Sequence, residues 1–196
     1  MAYVPIILAA GESRRMGTPK ALLDFGGRTC LDLVIESCML SGAGAPIVVL
    51  GHEAATIRRT IPADVGVVIN LDYERGQTSS LKAGLTAIPS DSDGILLFPV
   101  DCPLVRPETI RLLALTSRPI AVPVYGGRRG HPARFSSATL HELRALHDSQ
   151  PAHVIVHRDP LRVEEVMVDD PGVVTRLNTP EQYVAALAAW RGRSRP

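Results

Sequence analysis

The sequence predicts a doubly wound α/β protein with a mostly parallel sheet. Apolar runs rich in Val, Ile and Leu alternate with longer amphipathic segments, as strands and helices alternate in this fold class. Most of these runs are nearly continuous, which is typical of strands covered on both faces. Small or polar residues directly follow three of the runs, and ligands on such sheets bind beyond the carboxyl ends of the strands. We therefore expect a ligand site at that edge.

The candidate strands are short apolar runs bounded by Gly, Pro or polar residues. They are residues 3–9, 46–50, 65–70, 94–99, 119–124 and 162–168. The candidate helices between and after them are residues 29–41, 54–60, 80–87, 107–116, 137–146 and 179–190. Residues 125–135 are rich in Gly and Arg, which predicts a small hairpin or loop insertion. The length fits a single domain over residues 1–196.

Composition excludes several classes of partner. The formal net charge is +1 and Lys and Arg form no long run, so neither nucleic acid nor a membrane surface is expected. The three cysteines include no C-x-x-C pair, which argues against a disulfide framework and a cysteine-based zinc site. We expect a reducing, cytoplasmic location. The N-terminal apolar run is too short for a signal peptide or a membrane span.

Residues 8–20 read LAAGESRRMGTPK and directly follow the first apolar run. Such a loop offers backbone N–H groups and cationic side chains to one place, which suits a polyphosphate. Its spacing matches neither the Walker loop nor the dinucleotide G-x-G-x-x-G pattern. The alternative is an ordinary turn that carries surface cations.

Asp101 follows the buried run 94–99, in the segment FPVDCP. A carboxylate beside a polyphosphate implies a bridging divalent cation, and Mg²⁺ suits that task; the alternative is a cap for the following turn. The neighbouring Cys102 is either reactive at the crevice rim or turned away and buried. His131 is the one histidine that lies inside a Gly- and Arg-rich loop. No nucleophile–base motif of a hydrolase is present.

Together these segments resemble the nucleotidyltransferases related to the molybdenum-cofactor cytidylyl- and guanylyltransferases. The resemblance rests on the first loop and continues through Asn70, GQTSS at 76–80, PVDCP at 99–103, GHP at 130–132 and NTP at 178–180. Ala9-Ala10-Gly11 and the GHP segment resemble the MocA-type cytidylyltransferases of this MobA-like family. One departure is Arg176, which stands where the family often has an acid.

The resemblance implies an NTP-binding fold that transfers a nucleoside monophosphate onto a phosphorylated acceptor and releases pyrophosphate. It implies that Arg15, Lys20 and Asp101 are catalytic, that Asp101 and Asn178 hold Mg²⁺, and that His131 lies toward the acceptor. The residues implied to bind nucleotide are Ala9, Ala10, Gly11, Ser13, Arg15, Lys20, Asn70, Ser80 and Asp101.

The preferred reading is transfer of CMP from CTP to molybdopterin that carries molybdenum, with a molybdoenzyme or its maturation factor as a further partner. One alternative is the same chemistry with GTP, and another is a sugar-phosphate acceptor. A third, from another class, is a non-catalytic carrier of the molybdenum cofactor. A carrier needs no site for NTP phosphates, so the presence of Arg15, Lys20 and Asp101 favours an enzyme.

Overall fold

The computed structural model describes residues 3–193 and is built on one mixed sheet. The strands of this part of the chain are β1 Tyr3–Ala9, β2 Ile47–Leu50, β3 Gly66–Ile69, β4 Gly94–Pro99, β5 Ile120–Tyr125, β6 Arg128–Arg129, β7 Ala133–Ser136 and β8 Val163–Met167. Its α-helices are α1 Cys30–Leu40, α2 Ala54–Arg58, α3 Gln77–Leu85, α4 Pro107–Ala114, α5 Leu140–Ala145, α6 His153–Arg158 and α7 Pro180–Arg193.

The strand order confirms the doubly wound α/β class. The strands run β3-β2-β1-β4-β7-β5-β6, and β8 also pairs with β5. The β3-β2-β1-β4 half is entirely parallel, so its strands end at one edge of the sheet. Each predicted strand and helix is present, with boundaries that differ by a few residues.

The predicted insertion at 125–135 forms strands β6 and β7, and β7 lies between β4 and β5. It pairs antiparallel with both neighbours. Gly126 and Gly127 have φ of 55° and 74°, which glycine adopts without the strain of a side chain and which a tight hairpin turn requires. Helix α6 is a further addition to the prediction.

The core covers both faces of the sheet at β1, β2 and β4, as their continuous apolar runs predict. The edge strand β3 is an apolar run that is only partly buried, which corrects that expectation. Alternate residues of β1 serve opposite layers: Ile7 packs with α1 and α4, whereas Ile6 packs with α3 and α5. Both side chains are fully buried. Each such burial is worth about 1.5–3 kcal/mol. Gly84 lets α3 approach the sheet, because a Cβ there would lie 2.7 Å from the Cγ2 atom of Ile6.

Among residues 3–193, no helix has the length and apolar character needed to cross a bilayer. The three cysteines are free and buried.

Candidate active site

A cleft of about 400 Å³ opens at the carboxyl ends of β1 and β4. It lies where parallel α/β sheets bind ligands. Most of the residues that the sequence singles out line it: Ala9, Ala10, Gly11, Ser13, Arg15, Lys20, Ser80, Asp101 and Asn178. These residues come from distant parts of the chain, and the parallel strands bring them together.

The loop after β1 curls around the cleft because its backbone makes left-handed bends. Ser13 has φ 54° and Gly17 has φ 67°. The Ser13 hydroxyl accepts a hydrogen bond from the backbone N–H of Lys20 at 3.0 Å, which closes the loop. The hydroxyl can still donate a hydrogen bond and Ser13 lines the cleft, so its predicted nucleotide contact stays a prediction. Arg15 lines the cleft and is exposed, so its charge is available to an anion.

Asp101 lies just past β4 with its side chain only 7% exposed. The ammonium group of Lys20 donates to Asp101 Oδ2 and to Asn178 Oδ1, each at 2.8 Å. The backbone N–H of Leu177 donates to the Asp101 carbonyl at 3.0 Å, and this bond fixes the segment that carries Asn178 beside the carboxylate. Two side-chain oxygens from different loops therefore contact one cation, the ammonium group of Lys20.

Arg176, which departs from the pattern of the resembled family, contacts both oxygens of Asp101. Its Nη2 donates to Oδ2 at 3.2 Å, and its Nε lies 2.9 Å from Oδ1 in an ion-pair contact outside hydrogen-bond angles. Burial raises the pKa of Asp101, but Arg176 and Lys20 outweigh that effect and hold it below its ordinary value. The carboxylate is ionised at neutral pH.

His131 is brought to this cluster by close backbone packing. Its N–H donates to the Val173 carbonyl at 2.8 Å, and a Cβ on Gly130 would lie 2.4 Å from that same oxygen. Arg176 Nη1 lies 2.9 Å from His131 Nε2. Because arginine only donates, Nε2 accepts and the proton sits on Nδ1. Burial and the charge of Arg176 lower the pKa of His131 to about 4, so the ring is neutral.

His131 does not line the cleft in the structure, and neither does Asn70. The side-chain amide of Asn70 donates to the hydroxyls of Ser79 and Ser80 at 2.9 and 3.0 Å, and its Oδ1 accepts from Asp72 N at 3.0 Å. Asn70 thus positions Ser80, which does line the cleft. The expectation that both residues touch ligand stays a prediction.

The structure decides whether Cys102 is reactive at the rim of the cleft or buried, the two possibilities that the sequence leaves open. The residue is only 1% exposed, and burial raises the pKa of its thiol. The chain turns directly after β4, where the Cys102 N–H donates to the Pro99 carbonyl at 3.3 Å, and this turn brings Asp101 to the cleft and Cys102 into the core. The thiol lies 3.7 Å from Asp101 Oδ1, on the buried side of the carboxylate. A buried thiol with a raised pKa is not nucleophilic, and the reactive reading is wrong.

The residues at Asp101 fit a magnesium ion that is completed by other ligands. Asp101 Oδ2 and Asn178 Oδ1 already face one cation, the ammonium of Lys20. One carboxylate and one amide oxygen suit Mg²⁺, which keeps water and substrate phosphates as its remaining ligands. No cluster of three or more His, Cys, Asp or Glu residues that would hold a metal occurs in residues 3–193.

Comparison with known proteins then identifies the family. The model of the MobA-like NTP transferase domain matches residues 5–164. The chain belongs to this family. It is therefore a member of a family of nucleotidyltransferases, which transfer a nucleoside monophosphate to a phosphorylated acceptor.

Two curated relatives align along most of the chain. A nicotine blue oxidoreductase of Paenarthrobacter nicotinovorans is 29% identical over 194 residues, which are 93% of this chain and 95% of that protein. A 2-C-methyl-D-erythritol 4-phosphate cytidylyltransferase of Rhodococcus jostii is 30% identical over 194 residues, 89% of this chain and 81% of the relative.

Solved structures agree with the family and the fold. Rv0371c of Mycobacterium tuberculosis H37Rv is 32% identical with a TM-score of 0.87, covering 96% of this chain and 99% of that one. Another structure of Rv0371c is a complex with manganese. A CMP:2-keto-3-deoxy-manno-octonic acid synthetase in complex with CTP, only 15% identical, has a TM-score of 0.71 over 98% of this chain and all of that one. That last likeness concerns the fold alone.

The sequence does not predict that Arg176 lies between Asp101 and His131. In the sequence Arg176 indicates only the loss of an acid, and no local pattern shows that Leu177 bonds to Asp101 and carries Arg176 with it. Tyr73 and Gln77 also line the cleft and were not singled out. Tyr73 packs beside Ala10, since a Cβ on Gly51 would lie 2.6 Å from the tyrosine Cβ and 2.9 Å from that of Ala10.

Proposed function

We propose that the protein transfers CMP from CTP to the phosphate of a molybdopterin-type acceptor and releases pyrophosphate. The observation that carries this proposal is the arrangement of Arg15, Lys20 and Asp101 around one cleft at the strand ends. The loop supplies the positive charge that a triphosphate needs, and the carboxylate lies beside it. Phosphoryl-type transfer depends mainly on such positioning and charge neutralisation.

In the proposed reaction, an oxygen of the acceptor phosphate attacks the α-phosphorus of CTP. The new bond is P–O, and the bond to the β-phosphate oxygen breaks as pyrophosphate departs. Arg15 holds the charge of the β- and γ-phosphates, which form the leaving group. Lys20 sits deeper in the cleft, with its side chain 16% exposed, and is proposed to turn from Asp101 toward charge that grows at the α-phosphate.

Asp101 and Asn178 are the residues that would hold Mg²⁺ beside the bound nucleotide. When bound, Mg²⁺ neutralises the triphosphate and polarises its phosphorus–oxygen bonds. In the free protein Lys20 faces the same two oxygens. Nucleotide phosphates that draw Lys20 away leave those oxygens free for the metal.

Ala10 supports the choice of CTP over GTP. It lies on the cleft wall and is only 4% exposed, so its methyl group limits the room for a base. A pyrimidine is smaller than a purine, and a difference of one methyl group gives roughly 10- to 200-fold discrimination. A similar cytidylyltransferase from Rhodococcus jostii supports the same choice.

The test is a thermal-shift panel of CTP, GTP, UTP and ATP with Mg²⁺, followed by pyrophosphate release with molybdopterin. CTP at about 100 times its Kd should stabilise the fold by roughly 2.7 kcal/mol. Ala10→Gly is the matched variant and should narrow the preference for CTP. Equal stabilisation and equal pyrophosphate release by CTP and GTP would contradict the nucleotide assignment. Turnover with a sugar phosphate, but not with molybdopterin, would show that the acceptor is a sugar phosphate.

A second candidate is an oxidoreductase that holds a nucleotide-containing redox cofactor in the same cleft. It is favoured by the likeness to nicotine blue oxidoreductase, which extends over nearly the full length of both chains. NADH, NADPH and FAD therefore join the thermal-shift panel. Stabilisation by one of these and not by any NTP would support the oxidoreductase and count against CMP transfer.

A further inference from the structure

Arg176 lines the cleft and has hydrogen-bond donors that its protein partners leave unused. Each terminal nitrogen of a guanidinium carries two N–H groups. One on Nη1 points to His131 and one on Nη2 points to Asp101, which leaves one on each nitrogen without a partner in residues 3–193. The side chain is 37% exposed and lines the cleft. The guanidinium is therefore anchored by its partners and still open to a ligand.

The anchoring comes from groups that are themselves fixed. Asp101 is buried and bonded through its backbone to Leu177, and neutral His131 is held by the Val173 carbonyl. A guanidinium fixed in this way loses little further conformational freedom when it binds an anion. An exposed arginine without such partners would have to be ordered at the moment of binding.

The charges at this point are unbalanced before any ligand arrives. Lys20 and Arg176 both face the single carboxylate of Asp101, and the ring of His131 is neutral. The cluster thus carries an excess positive charge in a partly buried place, where attraction for an anion is stronger than in water. Arg15 lies on the same cleft but belongs to the loop after β1. The cleft has cations on separate elements, as two anionic substrates require.

We propose that Arg176 binds the phosphate group of the acceptor substrate, next to the site of attack. This inference rests on the proposed CMP transfer, and it assigns to Arg176 the recognition of the acceptor through its phosphate group. A planar guanidinium with free N–H groups on both terminal nitrogens matches two oxygens of a phosphate. Bound there, it offsets the repulsion between the attacking phosphate and the triphosphate, and it leaves another oxygen free to attack.

The experiment measures the binding of inorganic phosphate by calorimetry. Phosphate is titrated into the free protein and into protein saturated with Mg²⁺ and α,β-methylene CTP, a nucleotide that cannot be transferred. Wild type is compared with Arg176→Gln, Arg176→Lys and the control Arg128→Gln, which removes an exposed arginine of β6. Acetate in place of phosphate distinguishes a phosphate site from a general carboxylate site.

Arg176→Gln should weaken phosphate binding at least tenfold, Arg176→Lys should weaken it less, and the control should match wild type. Affinity for the CTP analogue should change less than twofold in the glutamine variant. Phosphate affinity that is equal in wild type and Arg176→Gln under both conditions would overturn the inference, as would the absence of phosphate binding to wild type. An analogue that does not bind wild type counts against the proposed CMP transfer and leaves the phosphate comparison on free protein decisive.

Discussion

Two buried aspartates of this protein are held mainly by different kinds of donor, although Arg106 Nε also lies 3.9 Å from Asp170 Oδ1. Asp170 is 1% exposed and accepts hydrogen bonds from the backbone N–H of Arg106 and Gly172 and from the Thr109 hydroxyl, at 2.8–3.0 Å. Asp101 is 5% exposed, but its carboxylate is held by the side chains of Lys20 and Arg176.

The difference separates a structural carboxylate from a functional one. Backbone donors cannot move without unfolding, so Asp170 fixes the start of α4 and the turn at Gly172. The ammonium of Lys20 can turn to a ligand, so this partner of Asp101 is exchangeable, whereas Arg176 stays anchored beside the carboxylate. Of two carboxylates that are similarly buried, Asp170 is therefore expected to matter for stability and Asp101 for turnover.

Asp101→Ala should give the largest effect, a loss of turnover of about a thousandfold, because it removes charge at the reacting phosphates. The fold should remain, since Lys20 and Arg176 both line the cleft, where water can replace the lost carboxylate. Steady-state pyrophosphate release and thermal unfolding are the two measurements. Near-normal turnover in Mg²⁺ would contradict the assignment of Asp101.

Asp170→Ala should lower the free energy of unfolding by about 3 kcal/mol, because it leaves buried donors unsatisfied. Turnover per folded molecule should stay close to wild type. The matched control is Asp169→Ala, which removes the neighbouring, exposed side chain. Chemical denaturation measures the loss, and equal stability of the two variants would show that Asp170 is not the structural member of the pair.

Lys20→Ala should reduce kcat by about a hundredfold with a smaller effect on nucleotide binding, whereas Arg15→Ala should impair both. Lys20 is proposed to meet charge that develops during transfer, and Arg15 meets charge that the free nucleotide already carries. Comparison of kcat and KM with calorimetric affinity separates the roles. The reverse pattern would mean that the roles are exchanged.

The smallest expected effect is a pH dependence of the free energy of unfolding that comes from His131, the neutral neighbour of Arg176. Its pKa is lowered from 6.5 to about 4 in the folded protein, so the unfolded chain binds more protons between these values. Stability is therefore lost as pH falls, by about 2 kcal/mol between pH 7 and pH 5. Asp101 stays ionised over this range, because its pKa lies below the ordinary value.

His131→Gln is the control for this pH dependence, since its amide oxygen still accepts from Arg176 but does not titrate. Denaturation of both proteins at several pH values measures the difference. An unchanged pH dependence in the variant would show that His131 is not the group that loses stability in acid.

The sequence by itself determined the fold class, the position of the strands and the loop that follows β1. These follow from local patterns, because buried parallel strands must be continuously apolar and a polyphosphate loop must combine small and cationic residues. The tertiary structure alone decided where β7 lies and which partners Asp101 has. β7 is a short segment that pairs with strands distant along the chain, and sequence spacing does not encode that choice. Arg176 reaches Asp101 through the backbone bond of Leu177, so its role depends on two segments 75 residues apart that only packing joins.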